Sequence, residues 1–489
     1  MRKIKLLIVL ILCISSMTYA TVKKNVNNEV AGSLLTLFTS EEFSSITELT
    51  VTGTIDARDI KTMRDSMPIL EILDFSGANI IYYAGEDGTQ DQFTVYGSNT
   101  IPEWAFNDCY NLISLSIPAS VDTIGYCAVN NCFNLETFTI PDSSKLKVIA
   151  DYAFEYCESL KSIFIPNTIK SIGSGAFSDC LNLVSVEIPS SVISIGVWAF
   201  TNCSALITVD GANQKFSSNN DILYDKQKLI LIQCPISKTG IIDIPASVEI
   251  IGPAAFNKCF EITSVVLPLH LKTISNEAFY ECTGITTITI PDSVTSIGVN
   301  AFAYCTNLTT LNFNAKNCLS IGNKNSPAFV GCTSDCTLNI SKNVREIPPY
   351  AFSYFSGLKV INTLHSIPLK ISNSNQFNNM DKNTCILNVP TYSKQYYVTS
   401  PGWMEFTNIK ENIITDINQI DNEGLTLILQ NGRLVFNKTV ENLPVFVYDI
   451  NGEVLFRGVA NGNELETHVL GSGLYFVKVG GEKFKIIQK

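Results

Sequence analysis

The sequence predicts a helix-poor solenoid with a parallel β-sheet on one face, followed by a small C-terminal antiparallel β-sandwich. Three observations carry this. Ala-Phe pairs recur at 105-106, 153-154, 176-177, 199-200, 255-256, 278-279, 301-302, 328-329 and 351-352, with Ala128-Val129 as a variant, and the usual step is 23 residues. A cysteine follows three residues later at Cys109, Cys132, Cys157, Cys180, Cys203, Cys259, Cys282, Cys305 and Cys332, with Phe355 in the last copy. An alternating segment ending in proline then closes many units, as in "LSIP", "IFIP", "VEIP" and "ITIP". One such unit cannot bury its own apolar side, so copies must stack, and their short strands then align in parallel.

Taken in chain order, the first element is an export signal. "MRKIKLLIVLILCISSMTYA" places Arg2, Lys3 and Lys5 before an apolar core and a small-residue site at Ala20, so residues 1–20 read as a signal peptide. The competing reading is lipidation at Cys13, against which the large Leu12 speaks. No other segment reaches transmembrane length, and the expected location is the outer-membrane surface or the extracellular space. Residues 21–100 read as an N-terminal cap and first atypical repeats, with a helix around Asp59 to Ser66 between two strands. The repeats proper occupy 101–411. In each, the alternating strand turns two side chains inward, proline ends the ladder, glycine supplies a tight bend, and Ala-Phe fills the interior.

The gap between Phe200 and Phe256 hides a longer repeat near 210–245. There "DILYDKQKLILIQCP", Asp221 to Pro235, reads as a hairpin protruding from the array. A C-terminal cap is expected at 385–411. Beyond Glu411 the pattern changes to alternating runs joined by Asn431-Gly432 and Asn451-Gly452 turns. Residues 412–489 therefore read as a β-sandwich of about seven strands.

The repeat resembles the BspA-like class of bacterial leucine-rich repeats, because period, Ala-Phe, Cys and Ile-Pro recur in register. "LTVTGTIDARDIKTMRDSMPILEILDFSGANI" and "LNVPTYSKQYYVTSPGWMEFTNIKE" are similar to the segments that open and close such arrays. The end of the chain resembles the C-terminal sorting domain of type IX secretion, through Tyr448, Asp449, Gly452, the Leu470-to-Tyr475 stretch, Val477 and the terminal Lys485 to Lys489. The two resemblances imply an α/β-poor leucine-rich-repeat solenoid, export through the type IX machinery, and adhesion to host matrix, host cells or other bacteria.

The chemistry in the sequence is sparse. A net charge of −11 and a pI near 4.9 argue against nucleic acid. Fifteen cysteines are many for an exported chain, but nine share one repeat position and there is no C-x-x-C. They read as a column of buried free thiols acting as small hydrophobes, with local bridges between Cys332 and Cys336 or Cys127 and Cys132 left open, and Cys234, Cys318 and Cys385 unassigned. The three histidines, His270, His365 and His468, fit no catalytic motif, and no paired carboxylates stand at a repeated spacing. No enzyme, metal site or cofactor is expected.

The outward strand positions carry the functional expectation. They form a hydroxyl-rich stripe, and the candidate partner-binding residues are Ser162, Phe164, Ser185, Glu187, Val266, Thr287, Thr289, Thr310 and Asn312. Ser and Thr also simply suit exposed strands. The expected partner is a host or bacterial surface protein or a glycan, and Phe164 is the expected anchor. A ligand-free surface-layer spacer and a glycan-recognition protein are the alternatives.

Overall fold

The computed structural model describes residues 20–371, 374–411, 427–430, 433–450, 452–467, 473–479 and 482–488. The expected signal peptide with Cys13 falls outside the described residues except for Ala20. The chain forms two compact units, Met1–Ser237 and Lys238–Lys489.

In the first unit a parallel sheet orders the strands Lys23–Asn28, Glu48–Ile55, Ile72–Ile80, Ser114–Ser116 and Thr137–Thr139. Ser162 adds a single parallel bridge to Thr137, and Ser185–Ile188 pairs in parallel with Leu206–Val209. The expected helix runs Ala57–Ser66 and buries Ile60 and Met63. Its start is a capping box: Asp56 accepts from the Arg58 amide at 2.9 Å and Asp59 from the Asp56 amide at 3.0 Å. Asp59 also accepts from the amides of Gly32 and Leu34 at 2.6 and 2.9 Å, and so ties the entering chain to the helix. Lys23–Asn28 has too polar a sequence to read as a strand, yet it pairs along its whole length with Glu48–Ile55. Its lysines and asparagines suit an edge, where they discourage pairing with other chains.

The repeats contain more order than one sheet. A second parallel ladder joins the dipeptides Thr100–Ile101, Thr123–Ile124, Val148–Ile149, Ser171–Ile172 and Ser194–Ile195. In the second unit the same ladder runs through Ile250–Ile251, Thr273–Ile274, Ser296–Ile297 and Ser320–Ile321. Two residues are too few to show alternation, so this ladder left no periodic signal. The glycine that follows is a left-handed bend, as the sequence suggested, only at Gly322, with a φ of 56°. Among these, Gly173 and Gly298 do not adopt a left-handed φ; a Cβ there would lie 2.4 Å from backbone atoms of Ala150 and Asp151, or of Asn276, in the preceding coil. Glycine is needed because coils approach backbone to backbone.

The other bends come from elsewhere. The residue before Ala and the second residue after Phe adopt left-handed backbone in coil after coil, as at Tyr152 and Tyr156 (φ 56° and 58°) or Asn300 and Tyr304 (52° and 59°). Between those two bends, the Phe amide donates to the Ala carbonyl of the next coil, Phe154 to Ala176 and Phe279 to Ala301, at 2.8 and 2.7 Å. The Phe rings stack directly: Phe154, Phe177 and Phe200 at 5.3 and 5.5 Å in the first unit, and Phe256, Phe279, Phe302 and Phe329 at 4.8, 5.1 and 5.2 Å in the second.

The long repeat departs from expectation. It is a three-stranded antiparallel meander, Phe216–Asn219, Ile222–Asp225 and Ile230–Gln233. The first turn, Asn220-Asp221, has φ of 49° and 60°, the pair of positive values a two-residue type I′ turn demands. The second is closed by the Asp225 carboxylate, which accepts from the amides of Leu229 and Ile230 at 2.7 and 2.8 Å. The segment does not protrude as an exposed hairpin: Leu223, Tyr224 and Leu231 are fully buried. Its apolar runs were the sign of burial.

In the second unit Gly240–Asp243 pairs with Ile262–Val266, and a six-stranded parallel sheet orders Thr287–Ile290, Thr310–Phe313, Cys336–Ile340, Leu358–Thr363, Ile386–Val389 and Asn408–Glu411. Its end is closed by the short helix Lys394–Tyr397 and by Trp403, which is fully buried against Phe377, Tyr397 and Phe406. The Trp403 indole donates to the Leu369 carbonyl at 2.8 Å.

Among its described residues the C-terminal domain is an antiparallel sheet of five strands: Leu427–Gln430, Arg433–Tyr448, Val454–Glu466, Gly473–Val479 and Glu482–Gln488. Arg433–Tyr448 and Val454–Glu466 each span what the pattern divided, because the pairing continues across register shifts between Val435 and Leu443 instead of breaking at a turn. Its core is Leu434, Phe436, Val445, Val447, Ala460, Tyr475, Val477 and Val479. The turn residues Asn431, Gly432 and Asn451, the segment 412–426, Leu470 to Ser472 and His468 lie outside the described residues.

Candidate binding face

The inward residues of each coil decide where the outward ones stand. Ile163 and Ile165 are buried, which turns Ser162 and Phe164 outward; Val186 and Ile188 do the same for Ser185 and Glu187. Phe164 is 50% exposed, in a coil where Ser162 alone bridges to the sheet. The next coil is one residue short between cysteine and strand. Ala205 fills the interior, and the register sets Leu206 and Thr208 opposite Ser185 and Glu187. The outward pair there is therefore Leu206 and Thr208. Val184 and Leu206 are exposed at 67% and 38%, so the first unit offers apolar side chains flanking Ser185 that sequence reasoning passed over.

In the second unit Val266 is half-buried beside Ser264, and the remaining candidates are brought into one array. Thr287 faces Thr310 and Thr289 faces Asn312 across the ladder. The Asn312 amide donates to Thr289 Oγ1 at 3.0 Å. It also begins a chain of side-chain amides, because Asn339 donates to Asn312, Asn362 to Asn339 and Asn388 to Asn362, at 2.8, 2.7 and 2.7 Å. All four asparagines are half-buried by their neighbours. Asn362 and Asn388 were missed, although each lies between two inward residues, in "INT" and "LNV". Asn312, Asn339 and Asn362 each use one donor and one acceptor along the row, so this part of the face is fixed in rotamer as well as in backbone.

Among the described residues no disulfide joins the cysteines. The Cys132, Cys157, Cys180, Cys282, Cys305 and Cys332 thiols each donate to the carbonyl of the Phe (or Val129) one coil earlier, at 2.9 to 3.3 Å. The position is thus a weak donor on a carbonyl as well as an apolar filler, and Phe355 fills it without that bond, stacking on Phe329 at 5.2 Å. Burial pushes the Cys305 thiol up to about 12 and the Cys127 thiol up to about 11. Native protein at mildly alkaline pH should therefore resist a thiol reagent, and the column should react only after denaturation. Rapid native labelling of Cys305 would exclude the buried column.

His270 is exposed in a turn. His365 is half-buried between Thr363 Oγ1 and the Val344 carbonyl, at 3.0 and 2.9 Å, and burial lowers its pKa. Among the described residues no group of three or more His, Cys, Asp or Glu could hold a metal ion. Nor is any described helix long and apolar enough to cross a membrane.

No curated protein matches the chain. Among solved structures, a leucine-rich repeat protein from Eubacterium ventriosum is 24% identical, with 67% of this chain and 74% of that one covered at a TM-score of 0.47. The pneumococcal vaccine antigen PcpA is 17% identical, over 75% and 78% of the two chains, at 0.45. A leucine-rich repeat protein from Bacteroides ovatus is 23% identical, over 68% and 90%, at 0.37. The repeat seen in the stacked coils is matched by a family model in six copies, over residues 92–207, 232–359 and 319–399, more than half of the chain, and the protein therefore belongs to the BspA type leucine-rich repeat region family.

Proposed function

We infer that this repeat protein is exported to the cell surface or beyond it and acts there by binding, as an adhesin for a host or bacterial surface protein, without catalysis of its own. The observation that carries the reading is the outward sheet face, where Phe164, Val184 and Leu206 stand exposed among hydroxyl and amide groups. An exposed ring with apolar neighbours and a polar surround has the composition of a protein-contact anchor. A spacer without a ligand would have no use for it. The purified chain is expected to bind at least one member of a panel of matrix and bacterial surface proteins, and Phe164→Ala should weaken that binding about tenfold or more. An unchanged affinity would remove the sheet face from the reading, and capture only by neutral glycans would favour glycan recognition.

The C-terminal β domain supports the second part of the proposal, export through the type IX machinery. Deletion of residues 412–489 should leave the repeats folded but held in the periplasm. Normal surface display of the truncated chain would refute the sorting role.

A further inference from the structure

A different surface of the first unit has chemistry of its own. Tyr110, Phe133 and Tyr156 come from three successive coils, and their rings lie 5.6 and 6.4 Å apart. They are 50%, 36% and 38% exposed, at the turns around the Ala-Phe pairs rather than on the outward sheet face. A second row, Trp104, Tyr126 and Tyr152, is spaced at 5.3 and 5.8 Å along the same turns. Bulky aromatics are unusual in left-handed backbone, yet Trp104, Tyr152 and Tyr156 all adopt it, with φ of 56° to 58°. Interior packing does not call for rings here, since Phe106, Phe154 and Phe177 already fill the coils.

The charges at these turns are of one sign. The turn segments 102–111, 125–134 and 150–159 contain five carboxylates and no lysine or arginine. The acids are held by neutral donors: Asn131 donates to Asp108 and Asn130 to Glu155, each at 2.8 Å. These bonds orient the carboxylates without neutralising them. Arg64 of the helix Ala57–Ser66 donates to the Trp104 carbonyl at 2.7 Å and is paired with Asp65. The local field is felt by the rings, for the Asp179 charge raises the Tyr156 phenol and hydrogen bonding to Asp108 raises that of Tyr110.

We propose that this aromatic and acidic ridge is a second docking surface, and that it takes a lysine- or arginine-rich polypeptide segment. Rings alone would suit many partners. Rings bordered by carboxylates that neutral amides hold, as at Asp108 and Glu155, select cations, which gain from the ring faces and from the acids together. A neutral glycan would use only the rings, and an anionic one would be repelled.

The test is titration of the full-length chain into a fluorescent oligo-arginine peptide, followed by anisotropy, with a neutral oligosaccharide in parallel. The peptide should bind, and binding should weaken as salt rises. Phe133→Ser and, independently, Tyr110→Ser should each weaken it about threefold, and Asp108→Asn should weaken it further at low salt than at high salt. Phe164→Ala should leave it unchanged, which separates this ridge from the sheet face. All of these side chains are exposed, and an unchanged urea midpoint would show that the variants fold. Peptide binding indifferent to both ring substitutions would reduce the effect to diffuse attraction by an acidic chain and overturn the proposal. Tighter binding of the oligosaccharide, lost in Phe133→Ser, would overturn it in favour of glycan recognition.

Discussion

Phe302→Ala is expected to lower the unfolding free energy by about 3–5 kcal/mol, read as a shift in the urea midpoint. Phe302 is 1% exposed and sandwiched between Phe279 and Phe329, with ring planes within 2° of both. Alanine would remove the ring from two stacks at once and leave a void bounded by two flat faces. The surroundings cannot readily close on that void. The Phe302 amide is bonded to the Ala328 carbonyl at 2.8 Å, and Cys305 donates to the Phe279 carbonyl at 3.1 Å, so the coil spacing is set by backbone. Phe302→Leu should recover part of the loss, because it restores volume without the stack. Phe164→Ala, the same change at a half-exposed ring, should alter stability by only about 0.5 kcal/mol. A loss below about 1 kcal/mol for Phe302→Ala would show that the coils collapse onto the gap and that the column is not what sets their spacing.

This contrast marks what the sequence made legible. Recurrence at a fixed period identified Phe302 and Cys305 as interior, because an interior position repeats whenever the coil does. It also located the outward residues wherever the coil had its usual length, as at Thr287, Thr289, Thr310 and Asn312. It failed where one coil lost a residue: "CSALITV" alternates equally well in two frames, and only the pairing of Ser185 with Leu206 decides between them. The second ladder was hidden because two-residue strands show no alternation. At Gly173 and Gly298 the reason for glycine was misassigned, since close approach of the neighbouring backbone is a property of the stack and not of one coil. The aromatic ridge stayed unread for a related reason. Tyr110 and Phe133 each follow the repeat cysteine, but Tyr156 precedes its own, and contact across coils alone brings it to them.

The fold also explains why a partner-binding face and a stable core can vary separately. Each coil has buried Phe, Cys, Ile and Leu positions committed to its two neighbours, whereas its outward pair is held by ladder hydrogen bonds that any side chain permits. The face of the second unit is stiffer than that of the first, because Thr289, Asn312, Asn339, Asn362 and Asn388 are linked amide to amide. A substitution within that row costs a neighbour its hydrogen bond. One at Phe164 or Val184 breaks no such link, which places adaptable contacts in the first unit.

Trp403→Ala is expected to cost as much as the loss of Phe302 and to act on a different process. Stacked coils leave an apolar cross-section at the end of the array, which a cap must cover. Trp403 supplies much of that cover: it is fully buried, packs against Phe377, Tyr397 and Phe406, and donates to the Leu369 carbonyl. Truncation removes the ring and strands a carbonyl, so a loss of about 3–5 kcal/mol is expected, concentrated in the closing segment. Because coils contact only their neighbours, hydrogen exchange should accelerate in Leu358–Thr363, Ile386–Val389 and Asn408–Glu411 well before it does in Thr287–Ile290. Trp403→Phe keeps most of the volume and loses only the indole donor, so it should fall between alanine and the native chain. The native emission should also contain a blue-shifted component from Trp403 that is missing in both variants, since Trp198 is 41% exposed and Trp104 half-buried. Uniform acceleration of exchange along the sheet of the second unit would mean that its coils unfold as one body and that the end cap holds no separate share of the stability.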